Sequence, residues 1–429
     1  PVGTKVFKGN VESKPQMTFV MAITAIAITG VTIALRTTTE TVFAFENIIT
    51  YGPMIKLASV MLILIGLMTV MLSFQHPAIP RNQYSEHVFL LLSAMIGMMV
   101  LMYANDLILV FVGIELLSLP LYVLIGIGGN AILPKESAFK YFVLGSFASA
   151  FLLFGIAFIY GAAQTTDLQE IVATKDQINQ TFLLLGVLIF MIGLFFKVAL
   201  VPFHAWLPDV YQGAPTPITA FMATSVKLVI FVFLIQFLPI MKLVDSPMLG
   251  YALQWVAILT MFFGNLIALK QNNFKRMLAY SSISHSGYLF LGIIAGFLGA
   301  GTEATQGVFY YLLTYIFMTM GAFAVICLYE GREDQELTLD HLKGLSKSHP
   351  WTAFCLTIFL LSLAGIPPLG GFIAKLFLFS SAIAAQQFWL VVWGFMSSVI
   401  GVYYYLKPVV YMYMKEKEVH EEFMQNETV

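Results

Sequence analysis

FFKVALVPFHAWLPD, residues 195–209, is the stretch on which the reading of this chain turns. An apolar run carries Lys197, then Pro202, then His204, Trp206 and Asp209. Pro202 has no amide hydrogen and its ring crowds the preceding turn, so a helix cannot run undisturbed through it. The surrounding segment, 182–212, therefore reads as two half-helices joined by an unwound link. The segment 350–384 repeats the pattern, because LAGIPPLGGFIAK at 363–375 sets Pro367 and Pro368 just before Gly370 and Gly371. Interrupted helices persist in a membrane only where protein or a wet cavity covers them, and in matching halves they point to a transport site.

Both segments lie in lipid, as the whole composition requires. Of 429 residues, 59% are hydrophobic and 10% charged, with a mean hydropathy of +0.85; a soluble domain carries about a quarter charged residues. Roughly twenty apolar residues cross a bilayer as a helix. Spans are expected near 17–36, 51–74, 86–104, 106–128, 137–161, 182–212, 215–239, 247–269, 274–299, 305–330, 350–384 and 386–413. The apolar runs are continuous, not alternating, which excludes a β-barrel. The expectation is an all-α polytopic membrane protein of about twelve spans. The two breaks lie five spans apart, so the second broken helix crosses in the opposite direction from the first, the topology of an inverted repeat. This divides the chain into N-terminal helices over 1–85, a first five-helix repeat over 86–239, a second over 247–413, and a polar tail over 414–429.

Charge is scarce and positional. Twenty-two Lys and Arg against 23 Asp and Glu leave no case for nucleic-acid binding. Lys5, Lys8, Lys14, Arg81, Lys135, Lys270, Lys275, Arg276, Arg332, Lys343, Lys347, Lys415 and Lys417 fall on one side of the expected topology, with Arg36, Lys175 and Lys242 on the other. By the positive-inside rule both ends are expected to be cytoplasmic. Cys327 and Cys355 lie in apolar runs without metal-ligand spacing and read as packing residues. Gly126, Gly128 and Gly129 close a helix end and follow no phosphate-binding pattern.

The charges inside spans are another matter, since an ionisable group at mid-bilayer costs about 2.5–3.5 kcal/mol on insertion scales. Glu115 lies nine residues past Asp106 in DLILVFVGIELLSLPLYVLIG, about 13 Å along a helix. Lys197 precedes Pro202 by five residues, Lys227 lies within ITAFMATSVKLVIFVFLIQF, and Lys375 follows the second break. These three lie too deep to snorkel, whereas Lys140, near a span end, can act as a surface anchor. A buried lysine with an acidic neighbour can be poised to gain or lose a proton. His204 in the first link and His285 in YSSISHSGYLFLG are either further protonation sites or hydrogen-bonded core residues; Ser282, Ser284 and Ser286 flank the latter. The aromatic residues read mainly as lipid-facing and packing surface, with Trp206 placed to wall a cavity.

The strings FVGIELLSLPLYVLIG, KVALVPFHAWLPDVYQGAPTPITAFMATSVK, NFKRMLAYSSISHSGY and LAGIPPLGGFIAKLFLF, in this order, resemble the antiporter-like subunits of respiratory complex I, the proton-pumping NADH:quinone oxidoreductase. PDVYQGAPTP and Lys227 in ATSVK resemble its N subunits more than the larger L and M subunits. The resemblance covers about residues 50–413 and implies fourteen helices with two inverted five-helix repeats, each holding one discontinuous helix. Twelve are visible here, so one helix is expected to be missing at each end; the chain opens with Pro1, not Met.

The resemblance further implies proton transfer by Glu115 paired to Lys197, by Lys227 as a relay and by Lys375 as the exit-side switch, with Lys140, His204 and His285 as secondary positions. It implies no cofactor and no metal in this chain. NADH, FMN, iron–sulfur clusters and quinone belong to partner subunits of the parent complex, and the immediate partners are neighbouring antiporter-like subunits in a bilayer, most simply the bacterial inner membrane. A sodium or potassium/proton antiporter subunit shares the broken helices and lysines, and a non-transporting membrane scaffold is the remaining alternative. Quinone binding within this chain lacks support, because the expected wet region is lined by ammonium groups.

Overall fold

The computed structural model describes residues 13–127, 132–175, 178–329 and 338–416. Gly128, Gly129, Lys5, Lys8, Arg332, Lys417 and most of the 414–429 tail lie outside the described residues. The chain enters as α1 (Ser13–Leu35), which leads through a small hairpin, β1 (Val42–Ala44) and β2 (Ile49–Tyr51), to α2 (Pro53–Ser73). A run of five crossings follows: α3 (Tyr84–Tyr103), α4 (Leu107–Gly126), α5 (Ile132–Ala163), the pair α7 (Gln180–Lys197) and α8 (Trp206–Gly213), and the pair α9 (Thr216–Phe221) and α10 (Lys227–Leu243). The short α6 (Leu168–Ala173) caps the loop before α7. A second run consists of α11 (Pro247–Ala268), α12 (Phe274–Ala295), α13 (Gly301–Tyr329), the pair α15 (Pro350–Ala364) and α16 (Gly370–Ala384), and α17 (Phe388–Met414), with α14 (Leu345–Ser348) lying ahead of α15. In each run of five the fourth crossing is the interrupted one.

Ten described helices are individually long and apolar enough to cross a membrane. One of them, Phe274–Tyr329, has 56 residues, far more than a bilayer needs, and it turns at Gly299 (φ 120°) and Gly301 (φ 57°) into two crossings. The two 15-residue halves α15 and α16 together supply another. The twelve expected spans are thus all present, and the chain is a multi-pass integral membrane protein.

Helices in lipid associate through close packing of small residues, since apolar burial offers little drive there. A Cβ on Gly97 of α3 would come within 2.4 Å of the Leu117 nitrogen of α4, and one on Gly264 of α11 within 2.6 Å of the Ser284 nitrogen of α12. The first two helices of each run therefore touch backbone to backbone at corresponding places. The α9–α10 crossing is 94% buried over its most apolar window, and nearly every residue of α12 is buried. These two helices form the axis of the molecule. Hydrophobic content does not separate them from their neighbours; enclosure on all sides does.

Candidate proton path

Both breaks end their first half-helix in the same way. At the first, Leu200 N donates to Phe195 O (2.9 Å) and Ala199 N to Phe196 O (3.1 Å), with Ala199 at φ 54°. At the second, Ile366 N donates to Leu361 O (3.1 Å) and Gly365 N to Ser362 O (3.0 Å), with Gly365 at φ 84°. This is the Schellman pattern, which satisfies carbonyls that a helix end leaves free. Each break then passes through a cis prolyl bond, Val201–Pro202 and Pro367–Pro368. The unwound backbone of the first link is satisfied by side chains of the other run: Val201 N donates to Thr260 Oγ1 (3.0 Å) and Ser286 Oγ to Val198 O (2.7 Å). Trp206 seals its outer side, stacked on Tyr141 (4.6 Å) and Phe196 (5.3 Å) while donating Nε1 to Phe196 O (3.0 Å). With Pro202, Phe203, Phe147 and Phe151 it also lines an apolar cavity of about 220 Å³.

Lys197, Lys227 and Lys375 are 1%, 2% and 6% exposed, so none reaches the surface. Lys197, the last residue of α7, donates to Ser118 Oγ (2.7 Å), whose own proton goes to Ile114 O (2.5 Å). Glu115 lies one turn from Ser118 on α4 and accepts from Ser149 Oγ. Among the described residues no ion pair joins Glu115 to Lys197; a serine and a helical turn separate them. Glu115 is half-buried, in an outward stripe with Val112 and Leu119.

Lys227 opens α10 immediately after a π-helical turn, Met222–Val226, inside the most enclosed crossing. Such turns shift the backbone ladder by one residue and recur at functional sites. The ammonium donates to Ser282 O and Oγ (2.6 Å to the latter) and to the Tyr315 hydroxyl (3.2 Å). One turn further along α12, His285 is held between Tyr311 OH (2.6 Å, at Nδ1) and Tyr405 OH (3.0 Å, at Nε2). None of the flanking serines bonds the imidazole: Ser282 serves Lys227, Ser284 bonds Ser281 O and Ser286 bonds Val198 O. The partners of His285 are tyrosines that the sequence reading assigned to packing. Tyr141, Tyr211, Tyr288, Tyr311, Tyr315, Tyr404 and Tyr405 are all fully or almost fully buried, and a hydroxyl inside a membrane span is the signal that distinguishes them from the phenylalanines.

Lys375 folds back across the second break. Its Nζ donates to Ala364 O (2.9 Å), more weakly to Leu363 O (3.5 Å), and to Ser398 Oγ (2.8 Å). The ammonium thus caps the C-terminal, negative end of α15. Gly365 leaves the room, since a Cβ there would lie 3.0 Å from Nζ. Gly371 allows the halves to meet, because its Cβ would fall 1.8 Å from Ser362 O.

Two secondary positions differ from the deep lysines. Lys140 stands two turns into α5, where its 43% exposed side chain pairs with Glu136 (2.7 Å) and Asp209 (3.0 Å). Arg276 shares Asp209 (2.8 Å) and also bonds Gln212 (2.7 Å), so this cluster ties α5, α8 and α12 together. His204 is half-buried beside the first break, and its Nδ1 has no hydrogen-bond partner among the described residues. Cys327 is half-buried and Cys355 exposed on α15. No group of three or more His, Cys, Asp or Glu side chains among the described residues is placed to hold a metal.

Residues 104–401 match the family model for the transmembrane region of NADH:quinone oxidoreductase and Mrp antiporter subunits. NADH-quinone oxidoreductase subunit N of Bdellovibrio bacteriovorus is 44% identical over 424 residues, spanning 97% of this chain and 86% of that one. A chain of respiratory complex I from Thermus thermophilus superposes with a TM-score of 0.80 at 34% identity, covering 94% of this chain and 86% of that one. A chain of the Mrp complex from a Dietzia species shares the fold (TM-score 0.77, 23% identity, 95% and 76% covered).

Proposed function

This chain belongs to the NADH:quinone oxidoreductase/Mrp antiporter transmembrane family, and from that premise we propose that it is a proton-translocating membrane subunit of a complex I. Glu115, Lys197, Lys227, His285 and Lys375 are its protonation stations, and Lys140 and His204 lie at its margins. The observation that carries this reading is that three lysines are buried at helix irregularities and meet only hydroxyls and backbone carbonyls at hydrogen-bond distance. Such partners hold an amine or an ammonium without committing to either, where a direct carboxylate would fix the charge. A merely structural lysine at this depth is better served by a tight ion pair.

The run 84–243 acts as one half and 247–414 as its inverted counterpart, with Lys227 and His285 on the axis between them. Glu115, in its outward stripe, faces an adjoining membrane subunit in the assembled complex. Its negative charge then acts on Lys197 from one helical turn away; two unit charges 4 Å apart interact by about 4 kcal/mol at an effective dielectric of 20, and several times that spacing still leaves about 1 kcal/mol. Moving a proton against 100 mV takes roughly 2.3 kcal/mol, so modest movements of Glu115 are commensurate with the task. Electron transfer from NADH to quinone, with its flavin and iron–sulfur centres, takes place in partner subunits. The membrane is the bacterial inner membrane, with the lysine- and arginine-rich loops inside.

NADH-driven proton uptake by the whole complex in vesicles tests the reading through Lys197→Ala and Glu115→Ala. Loss of uptake in an assembled complex supports it; full uptake favours a scaffold. Uptake that changes with sodium at a fixed proton gradient favours cation exchange.

A further inference from the structure

We propose that Asn265 is an insulator in the buried polar string between His285 and Lys375, a positioning residue that stops protons from crossing between the two through side chains alone. The inference rests on the reading above, in which His285 and Lys375 are successive stations. Asn265 lies on α11, which carries no charged residue, and it is 2% exposed. Its Oδ1 accepts from Tyr404 OH (2.8 Å). Its Nδ2 donates to Ser397 O (2.8 Å) and Ser397 Oγ (2.7 Å) and lies 3.4 Å from Tyr288 OH. Gly401 faces the amide, and a Cβ there would press within 3.3 Å of Oδ1. Both ends of the carboxamide are therefore hydrogen-bonded, and its neighbours leave it space.

On one side of it stand His285, Tyr405 bonded to His285 (3.0 Å) and to Ser281 (2.5 Å), and Tyr404, whose ring lies 4.3 Å from that of Tyr405. On the other side stand Tyr288, under the Lys375 ammonium at 4.9 Å, and Ser398, bonded to Lys375 (2.8 Å). Hydroxyls and imidazoles accept one proton while releasing another; the amide of asparagine offers donors and an acceptor but exchanges no proton in the ordinary pH range. The rings of His285 and Tyr288 touch (6.0 Å), but among the described residues no hydrogen bond joins them, so the hydrogen-bonded string passes through the amide and is interrupted there. The space among Asn265, Ser284, His285, Lys375 and Tyr404 is too small for a water molecule, so no water bypasses the amide in this state. Transfer to Lys375 then requires the cavity to open and hydrate, which ties it to a conformational step. A carboxyl at position 265 would remove that requirement, accepting a proton from the Tyr404 side and releasing it toward Tyr288 and Ser398.

The test uses the intact complex reconstituted in liposomes, with an imposed pH gradient, a trapped pH dye and no NADH. Asn265→Asp is expected to speed decay of the gradient several-fold over wild type, whereas Asn265→Leu, which also abolishes the amide's bonds, gives no such acceleration. Equal decay in the two variants overturns the inference. Where the aspartate variant does not assemble, Asn265→Ser, smaller and bearing a hydroxyl, tests the same direction. Adding Lys375→Ala to Asn265→Asp is expected to restore slow decay, and a persisting leak overturns the inference because the path then avoids Lys375. Full NADH-driven uptake with Lys375→Ala alone would overturn the underlying assignment of Lys375, and this inference with it.

Discussion

Gly365→Ala is a one-methyl change whose effect follows from the geometry of the second break. Gly365 sits at φ 84°, where a residue with a Cβ loses about 1–2 kcal/mol. The added methyl would also lie 3.0 Å from Lys375 Nζ, 3.1 Å from Cδ and 3.3 Å from Cε. The backbone cannot yield easily, since Gly365 N and Ile366 N are both bonded to the last turn of α15. The lysine must give instead, by a few tenths of an ångström, which stretches its 2.9 Å bond to Ala364 O. A hydrogen bond from a charged group contributes about 1.5–3 kcal/mol, so occupancy of the docked position should fall, by roughly 10- to 150-fold at most. Protons taken up per NADH by the reconstituted complex should drop, and a structure of the variant should show Lys375 displaced from Ala364. Wild-type uptake with Lys375 still docked would refute the argument. Ala199→Gly at the first break is the control: its αL residue already bears a methyl, Lys197 reaches toward Ser118 and not back over it, and uptake should survive.

Ser118→Ala removes the hydrogen-bond partner of Lys197, a loss of about 1–3 kcal/mol for a buried group; uptake per NADH should fall, and an unchanged ratio would exclude Ser118 from positioning Lys197. Asp209→Asn breaks the ties to Lys140 and Arg276, which are 28–43% exposed on the cationic side and so contribute about 0–1 kcal/mol each. Thermal scans should show a small drop that shrinks further in high salt, and a large salt-independent drop would contradict this. Outside the membrane, Lys343 holds the Asp340 carboxyl below its usual range. The folded value lies below the unfolded one, so the tie is intact at neutral pH and lost as pH falls. Hydrogen-exchange protection of the Lys343 amide, bonded to Asp340 O, should decline only below about pH 4; decline already at pH 6 would be inconsistent.

Much of this architecture is legible in the residues. Apolar length marks the crossings, proline marks the two breaks, and a lysine in an apolar run marks a place where burial must be compensated. The remainder depends on contacts between distant segments. Nothing in MATSV, which lacks glycine and proline, announces a π-helical turn before Lys227. The resemblance pairs Glu115 with Lys197, but no charge marks the serines that meet them, Ser118 at Lys197 and Ser149 at Glu115. The neutral groups around the charged ones, Ser282, Asn265 and the tyrosines beside His285, carry no charge to stand out. In a chain with 19 Tyr and 38 Phe, a buried hydroxyl is visible only once the helices are assembled around it. Lys140 is the opposite case, a charge whose place near a span end already allowed a surface anchor and whose partly exposed side chain pairs with Glu136 and Asp209.

The claim that protons pass through the interior lysines is tested most directly at Lys227, which opens α10 inside the most enclosed crossing. The measurement is the number of protons taken up per NADH oxidised by the complex carrying Lys227→Met, a side chain of similar length that keeps the core filled. The account predicts a reduced ratio in a complex that still assembles and oxidises NADH; an undiminished ratio would contradict it.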